Sequence, residues 1–155
     1  MLIEVKVKVA RVIDSKTRKR TENYILNKEF FSEAEYAVTA HLNEEITLGS
    51  VESFEIQSLK ISQIKEMAYL TNGSYSYIGT LKDIWLDNDG TEKTLKYKVL
   101  LWANDTTDAN NKFLQLARQG YDMMVEGIKQ ADYEYLDAES YNEKEETKDE
   151  RRKGK

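Results

Sequence analysis

The sequence predicts an α+β protein in which one strand–strand–helix–strand unit is used twice to make a pseudo-symmetric body of antiparallel sheet with two helices. Three observations point there. The chain opens on a period-two alternation, an apolar stripe at helical spacing follows between extended stretches, and the same order of patterns returns after residue 70. The first repeat is expected over residues 1–70, the second over 71–136, and a charged, flexible or frayed-helical tail over 137–155.

In the first strand Ile3, Val5, Val7 and Val9 share one parity while Glu4, Lys6 and Lys8 hold the other, the mark of a half-buried strand. A polar stretch over residues 14–20 then reads as a longish hairpin loop, with Tyr24, Ile25 and Leu26 in the returning strand. Ser32 and Glu35 have the spacing of a capping box, and Ala34, Ala37, Val38, His41 and Leu42 continue at helical spacing toward a stop before Gly49. Residues 51–70 read as extended. Phe54 and Ile56 lie on one parity, Leu59 and Ile61 on the other, so a bulge near Gln57 and Ser58 is expected to flip the apolar set.

The second round has a strand over 75–86, a turn at residues 87–90, a strand over 94–102, a helix over 107–119 and an extended segment over 121–136. Leu26, Ser32 and Ala34 reappear as Leu101, Thr107 and Ala109, and Phe54, Ile56 and Leu59 as Met123, Val125 and Ile128, with Gly127 near the place of the first bulge. One such unit covers a single face of a small sheet and is marginal alone, so two copies in one body are favoured over two beads on a linker.

The strand end Val99-Leu100-Leu101-Trp102-Ala103-Asn104-Asp105, the hairpin before it and the early alanine of the next helix resemble a small uncharacterised family of Bacteroides-group bacteria and their phages, including crAss-like phages. Leu2 departs from that pattern, standing where an aromatic residue often opens the first strand. The resemblance covers residues 1 to about 136 and implies a phage or mobile-element origin with action in the host cytoplasm. It implies no activity and no functional residues.

At 155 residues, with 23 basic and 28 acidic side chains, a net charge of −5 and no cysteine, the chain excludes disulfide frameworks, thiolate nucleophiles and cysteine-held metals. No apolar run is long enough for a membrane span, so neither a membrane partner nor a secretion signal is expected, and a cytoplasmic location is. The negative charge argues against a surface that grips nucleic acid throughout, because that affinity comes from lysine and arginine displacing counterions. Residues 1–70 are nevertheless near neutral, with 10 basic and 11 acidic groups, whereas residues 71–136 carry 7 and 10.

His41 has no second partner for a catalytic or metal constellation and reads as a packed helix residue. The run Asp87-Asn88-Asp89-Gly90 resembles the opening of a calcium loop, but Lys98 occupies the position of the bidentate glutamate and strands flank it, so a hairpin turn is preferred. With no phosphate-cradling glycine loop and no acid–base pair at telling spacing, neither catalysis nor a cofactor nor a metal site is expected.

The strongest local signal is Lys16, Arg18, Lys19 and Arg20, four cations in five residues at the expected hairpin tip, extended by Lys6 and Lys8 on the adjoining strand and by Tyr24 as a base-stacking ring. These residues point to single-stranded or duplex nucleic acid as the ligand of an accessory factor in phage replication or recombination. The bland alternative is a soluble device that blunts an edge. Tyr75 and Tyr77 share one parity, as do Tyr133 and Tyr135, and an exposed tyrosine strip there is the second expectation, suited to a host or phage protein, a structural role in the particle or a homo-oligomer seam.

Overall fold

The computed structural model describes residues 1–70, 73–119 and 123–136. The tail expected over 137–155 lies outside the described residues. Ten elements follow in order: β1 Leu2–Ile13, β2 Lys16–Asn27, α1 Phe31–Leu48, β3 Val51–Ile61, β4 Ile64–Ala68, β5 Tyr75–Leu86, β6 Glu92–Ala103, α2 Thr106–Arg118, β7 Met123–Ala131 and β8 Glu134–Tyr135. The class is α+β, with two four-stranded sheets ordered β3-β1-β2-β8 and β4-β6-β5-β7.

The chain divides into two compact units, one formed by Met1–Ile61 with the segment that begins at Glu134, the other by Ser62–Tyr133. These units do not share boundaries with the sequence repeats, because each repeat gives its last strand away. The extended residues 51–70 divide at Ser62 into β3, paired with β1, and β4, which runs parallel to β6 in the second unit. At the end of the second repeat β8 runs parallel to β2 in the first unit, Tyr24 opposite Glu134 and Ile25 opposite Tyr135. The exchange is reciprocal. Local periodicity carries no information on it, since a strand's apolar pattern says which face is buried and not which neighbour lies beside it.

In the first unit the alternation of β1 puts Ile3, Val5, Val7 and Val9 against Ala34, Val38 and Leu42 of α1, all with no exposed surface. Those three helix residues recur every fourth position, which aligns them on one face. The expected capping box is not formed. Ser32 lies inside the first turn, Phe30 occupies the cap without a side-chain hydrogen bond, and the Ala34 amide bonds the Phe30 carbonyl. The helix ends at Gly49 as expected, with φ of 84° and its amide turned back onto the last carbonyls. The pairing of β3 with β1 skips from Ser58 to Ile56, so the bulge expected near Gln57 is present.

In the second unit Ala109, Phe113 and Ala117 of α2 pack on Tyr77, Leu81, Val99 and Leu101. The ring of Phe113 lies directly over Gly79 of β5, where any Cβ would overlap it. Unlike α1, this helix has a side-chain cap: Asp105 accepts the Asp108 amide at 2.7 Å and Asp108 accepts the Asn104 amide at 3.0 Å. The bulge recurs, since pairing of β7 with β5 skips from Gly127 to Val125 and leaves Glu126 unpaired. Asp87 accepts the amides of Asp89 and Thr91, each at 2.9 Å, and Gly90 takes a φ of 77°, so this carboxylate closes a hairpin turn.

Candidate nucleic-acid interface

The first hairpin turns through only two residues, Asp14 and Ser15, both with positive φ. This is the tight turn whose twist suits two antiparallel strands. The loop expected over residues 14–20 is therefore strand from Lys16 on. The polar run does not loop out because its backbone pairs residue for residue with β1, Lys16 opposite Ile13 and Arg18 opposite Arg11. Because β3 begins pairing at Arg11, only the last few residues on each side of the turn extend beyond the three-stranded part of the sheet. The cations lie along a sheet edge and do not crown a protruding arm.

Strand geometry then sorts them. Lys16, Arg18 and Arg20 continue the parity of Glu22, Tyr24 and Leu26, the face that α1 covers further along. Lys6, Lys8 and Lys19 fall on the opposite face, together with Thr21 and Asn23, and Lys19 is the diagonal neighbour of Lys8. All six are exposed except that Arg20, still half open, is tied by its Nε to Glu22 at 2.7 Å. Lys6, Lys8, Lys16, Arg18 and Lys19 form no ion pair among the described residues. These five are available to a polyanion.

Tyr24 is not available. Its ring is wholly buried between β1 and α1, edge-on to His41 at 5.8 Å, and its hydroxyl donates to Glu22 at 2.6 Å. The expectation that it stacks on a base is corrected: Tyr24 shares a face with the core residue Leu26 and lies opposite Val5. The interface thus offers cations without an aromatic platform.

Behind the exposed cations lies a charged cluster that sequence reading did not single out. Glu22 accepts two hydrogen bonds from Arg11, at 2.6 and 2.7 Å, one from Arg20 and one from Tyr24. Arg11 also pairs with Glu45 of α1, and the Ser50 hydroxyl reaches that carboxylate at 3.4 Å. Burial pushes the Glu22 carboxyl up, but the hydrogen bonds from Arg11, Tyr24 and Arg20 outweigh it and hold the group at about 2. The same contact to Glu22, working against burial, raises Arg11 above the ordinary guanidinium range, and burial followed by the Glu22 contact raises Tyr24. His41 Nε2 lies 2.8 Å from Glu45 without a hydrogen bond to it, and 3.9 Å from Glu134 of β8, beyond hydrogen-bond reach. Glu134 is raised chiefly by burial, with His41 opposing and Glu22 and Glu45 adding to the rise. The sequence did carry a signal for this cluster. Arg11 and Glu22 are charged residues at positions whose parity runs on from Val9 and Tyr24.

Chemically the cluster is saturated. Both Glu22 oxygens are engaged, and Arg11 and Arg20 are pulled inward onto it, which fixes the hairpin that carries the free cations.

The tyrosines are dispersed. Tyr75 is exposed at the start of β5, whereas Tyr77 is 4% exposed and packs in the second core against α2, which corrects its place in an exposed strip. Tyr133 and Tyr135 are half-buried and belong to different units, Tyr133 to the second and Tyr135 to the first. The exposed apolar residues of the second unit include Trp85, Leu86 and Leu95 near the end of the β5–β6 hairpin, with Leu70, Leu114 and Met124 elsewhere. A groove of about 500 Å³ between α2 and β7 has Glu126 as its one ionisable lining group, and that carboxylate is taken by Lys96 at 3.1 Å.

A family model described as "Domain of unknown function (DUF4494)" matches residues 1–137. The chain belongs to that family. The match spans every element of both units, so DUF4494 comprises the whole exchanged pair of sheets and not one repeat. No curated protein and no solved structure matches the chain. Among the described residues no helix of this DUF4494 member is long and apolar enough to cross a membrane.

Proposed function

We propose that this DUF4494 protein is a binding protein without catalysis that contacts the sugar–phosphate backbone of nucleic acid through Lys6, Lys8, Lys16, Arg18 and Lys19, as an accessory factor of phage or mobile-element replication or recombination in the host cytoplasm. The observation that carries it is the set of five cations on one hairpin that form no ion pair among the described residues, in a chain whose net charge is −5, whereas Lys82, Lys93, Lys96 and Lys112 each lie against an acid. Such a set recognises charge and spacing and reads no base edges. With Tyr24 inside the core, stacking adds nothing at this hairpin, and the preference between strands is set by backbone shape.

The test is a titration with fluorescent single-stranded and duplex oligonucleotides at about 50 and 200 mM salt, where phosphate contacts lose most of their affinity. Affinity is expected to fall steeply across that range. Replacing Lys16, Arg18 and Lys19 together by glutamine should flatten the salt slope by about three ions' worth. No binding at 50 mM salt would refute the reading.

A second reading rests on Trp85, Leu86 and Leu95. An exposed tryptophan is a frequent anchor at protein interfaces, and Leu95 is its diagonal neighbour on the same face of the hairpin. If a protein partner is the ligand, Trp85→Ala should abolish its capture while the glutamine triple variant keeps it.

A further inference from the structure

We propose that β7 is the seam of a two-fold homodimer, in which it pairs antiparallel with β7 of a second copy about Ile128, an interaction that goes beyond the nucleic-acid reading and does not depend on it. The edge is open by topology. β7 pairs with β5 on one side, and among the described residues no strand pairs with its other side, where alternate N–H and C=O groups make a template for one more strand. The register with β5 sorts the side chains of β7. Ile128 lies opposite Gly79, on the face that α2 covers, whereas Lys129 lies opposite Ile78 on the far face. Glu126, the residue left unpaired at the bulge, sends its carboxylate to that far face, toward Lys96 at 3.1 Å and Lys82 at 3.9 Å.

The occupant is selected by charge and register. Glu126 and Lys129 are the two charges of β7, of opposite sign and on either side of Gly127 and Ile128, and Lys129 forms no ion pair among the described residues. Antiparallel pairing about Ile128 sets Lys129 of each chain opposite Gly127 of the other and so beside its Glu126, twice over by symmetry. Gly127 leaves that path clear. A Cβ there would meet nothing within 4 Å and the backbone φ is not positive, so neither packing within the chain nor a turn calls for glycine. The alternatives are disfavoured: a parallel copy in register stacks Lys129 on Lys129, centring the pair on Lys129 or on Glu126 sets like charges face to face, and a slip of one residue sends Ile128 to the wrong face. On the helix face the two Ile128 side chains meet at the dyad. Each then lies alongside the groove between α2 and β7, where Val125 and the exposed Leu114 line about 500 Å³ of open space. Each chain thus brings an apolar side chain to a gap that the helix of the other leaves unfilled.

The test uses the full chain, without nucleic acid. Sedimentation velocity from about 1 to 100 μM should show a species of twice the mass of one chain, and Lys129→Glu, which turns two attractive pairs into repulsive ones, should raise the dissociation constant about tenfold, with Lys129→Gln between the two. Because the sequence has no cysteine, an introduced one reports the register directly. Residues directly opposite in an antiparallel pair bring their Cα atoms within disulfide reach, so Ile128→Cys should give a covalent dimer on mild oxidation with diamide. Met124→Cys, more exposed on the same strand, should not, since the two Met124 positions lie roughly 25 Å apart in this register. A chain of monomer mass at about 100 μM overturns the proposal and leaves the edge to an extended segment of another protein. A dimer indifferent to Lys129→Glu, or one that Met124→Cys joins as readily as Ile128→Cys, overturns it too, because the chains then meet elsewhere.

Discussion

At the residue scale the sharpest feature is Glu22, a carboxylate 8% exposed that holds Arg11, Arg20 and Tyr24 together. Removing it leaves Arg11 buried beside Glu45 alone and Tyr24 without an acceptor. Glu22→Ala should therefore destabilise the fold by about 3 kcal/mol, measured by urea unfolding, because breaking a buried ionic contact strands its partners. Tyr24→Phe removes one hydroxyl and keeps the ring, and should cost about 1 kcal/mol. The pH dependence has a definite sign. Glu22 ionises near 4.5 when unfolded and at about 2 in the fold, so its contribution is present in full above 4.5 and is lost as pH falls toward 2. In Glu22→Gln that part of the acid-induced loss of stability should vanish from unfolding curves between pH 5 and 2. Gly79 is the corresponding pressure point of the second unit. Alanine there meets the Phe113 ring, and the melting temperature should drop, since overpacking a filled core costs about 1–3 kcal/mol.

At the element scale the two helices make a matched comparison. Asp105→Ala takes away the side chain that caps α2 and should cost about 1 kcal/mol, whereas Ser32→Ala, at a position the sequence marks as a cap, should change stability by less than about 0.5 kcal/mol. Thermal melts of the two variants decide it. The misreading has a physical cause: the Ser-x-x-Glu spacing is one condition for a capping box, and the backbone must also leave the helix at the serine. Here Phe30 is the extended residue, with φ of −125° and ψ of 147°, and Ser32 is already helical. Much else at this scale was legible. The alternation of Ile3 to Val9, the fourfold spacing of Ala34, Val38 and Leu42, the stop at Gly49 and the bulge at Gln57 are each written in short-range pattern. What escaped depends on residues far apart in the chain. The polar run at 16–20 carries loop composition, yet a two-residue turn and twelve paired residues of β1 make it strand. For the candidate site the basic residues were legible, but their division between two faces and the burial of Tyr24 follow from that same register.

At the scale of the whole molecule the exchange of β4 and β8 dominates. Each sheet takes an edge strand from the other repeat, and β8 returns to the first sheet only after Ser62–Tyr133, so unfolding the second unit adds a long open loop to the closure of β8. Both tryptophans, Trp85 and Trp102, report on the second unit, whereas far-ultraviolet circular dichroism reports on both. Coincident midpoints by the two probes are the expected outcome, and a fluorescence transition separated from the dichroism transition would show the units melting independently.

The same exchange also orders events during synthesis. A ribosome that has released residues 1–61 has supplied every long strand of the first sheet and its helix, but the partner of Tyr24 and Ile25 is still unmade and arrives only after the whole second hairpin and α2. The outer side of β2 at Tyr24 and Ile25 thus stays unpaired through most of translation, and pairing it is a long-range step, the kind that slows folding and exposes nascent chains to one another. Four cations on that strand repel the β2 edges of neighbouring chains on a polysome, so the residues we propose for nucleic-acid contact also keep the growing chain from pairing with its siblings.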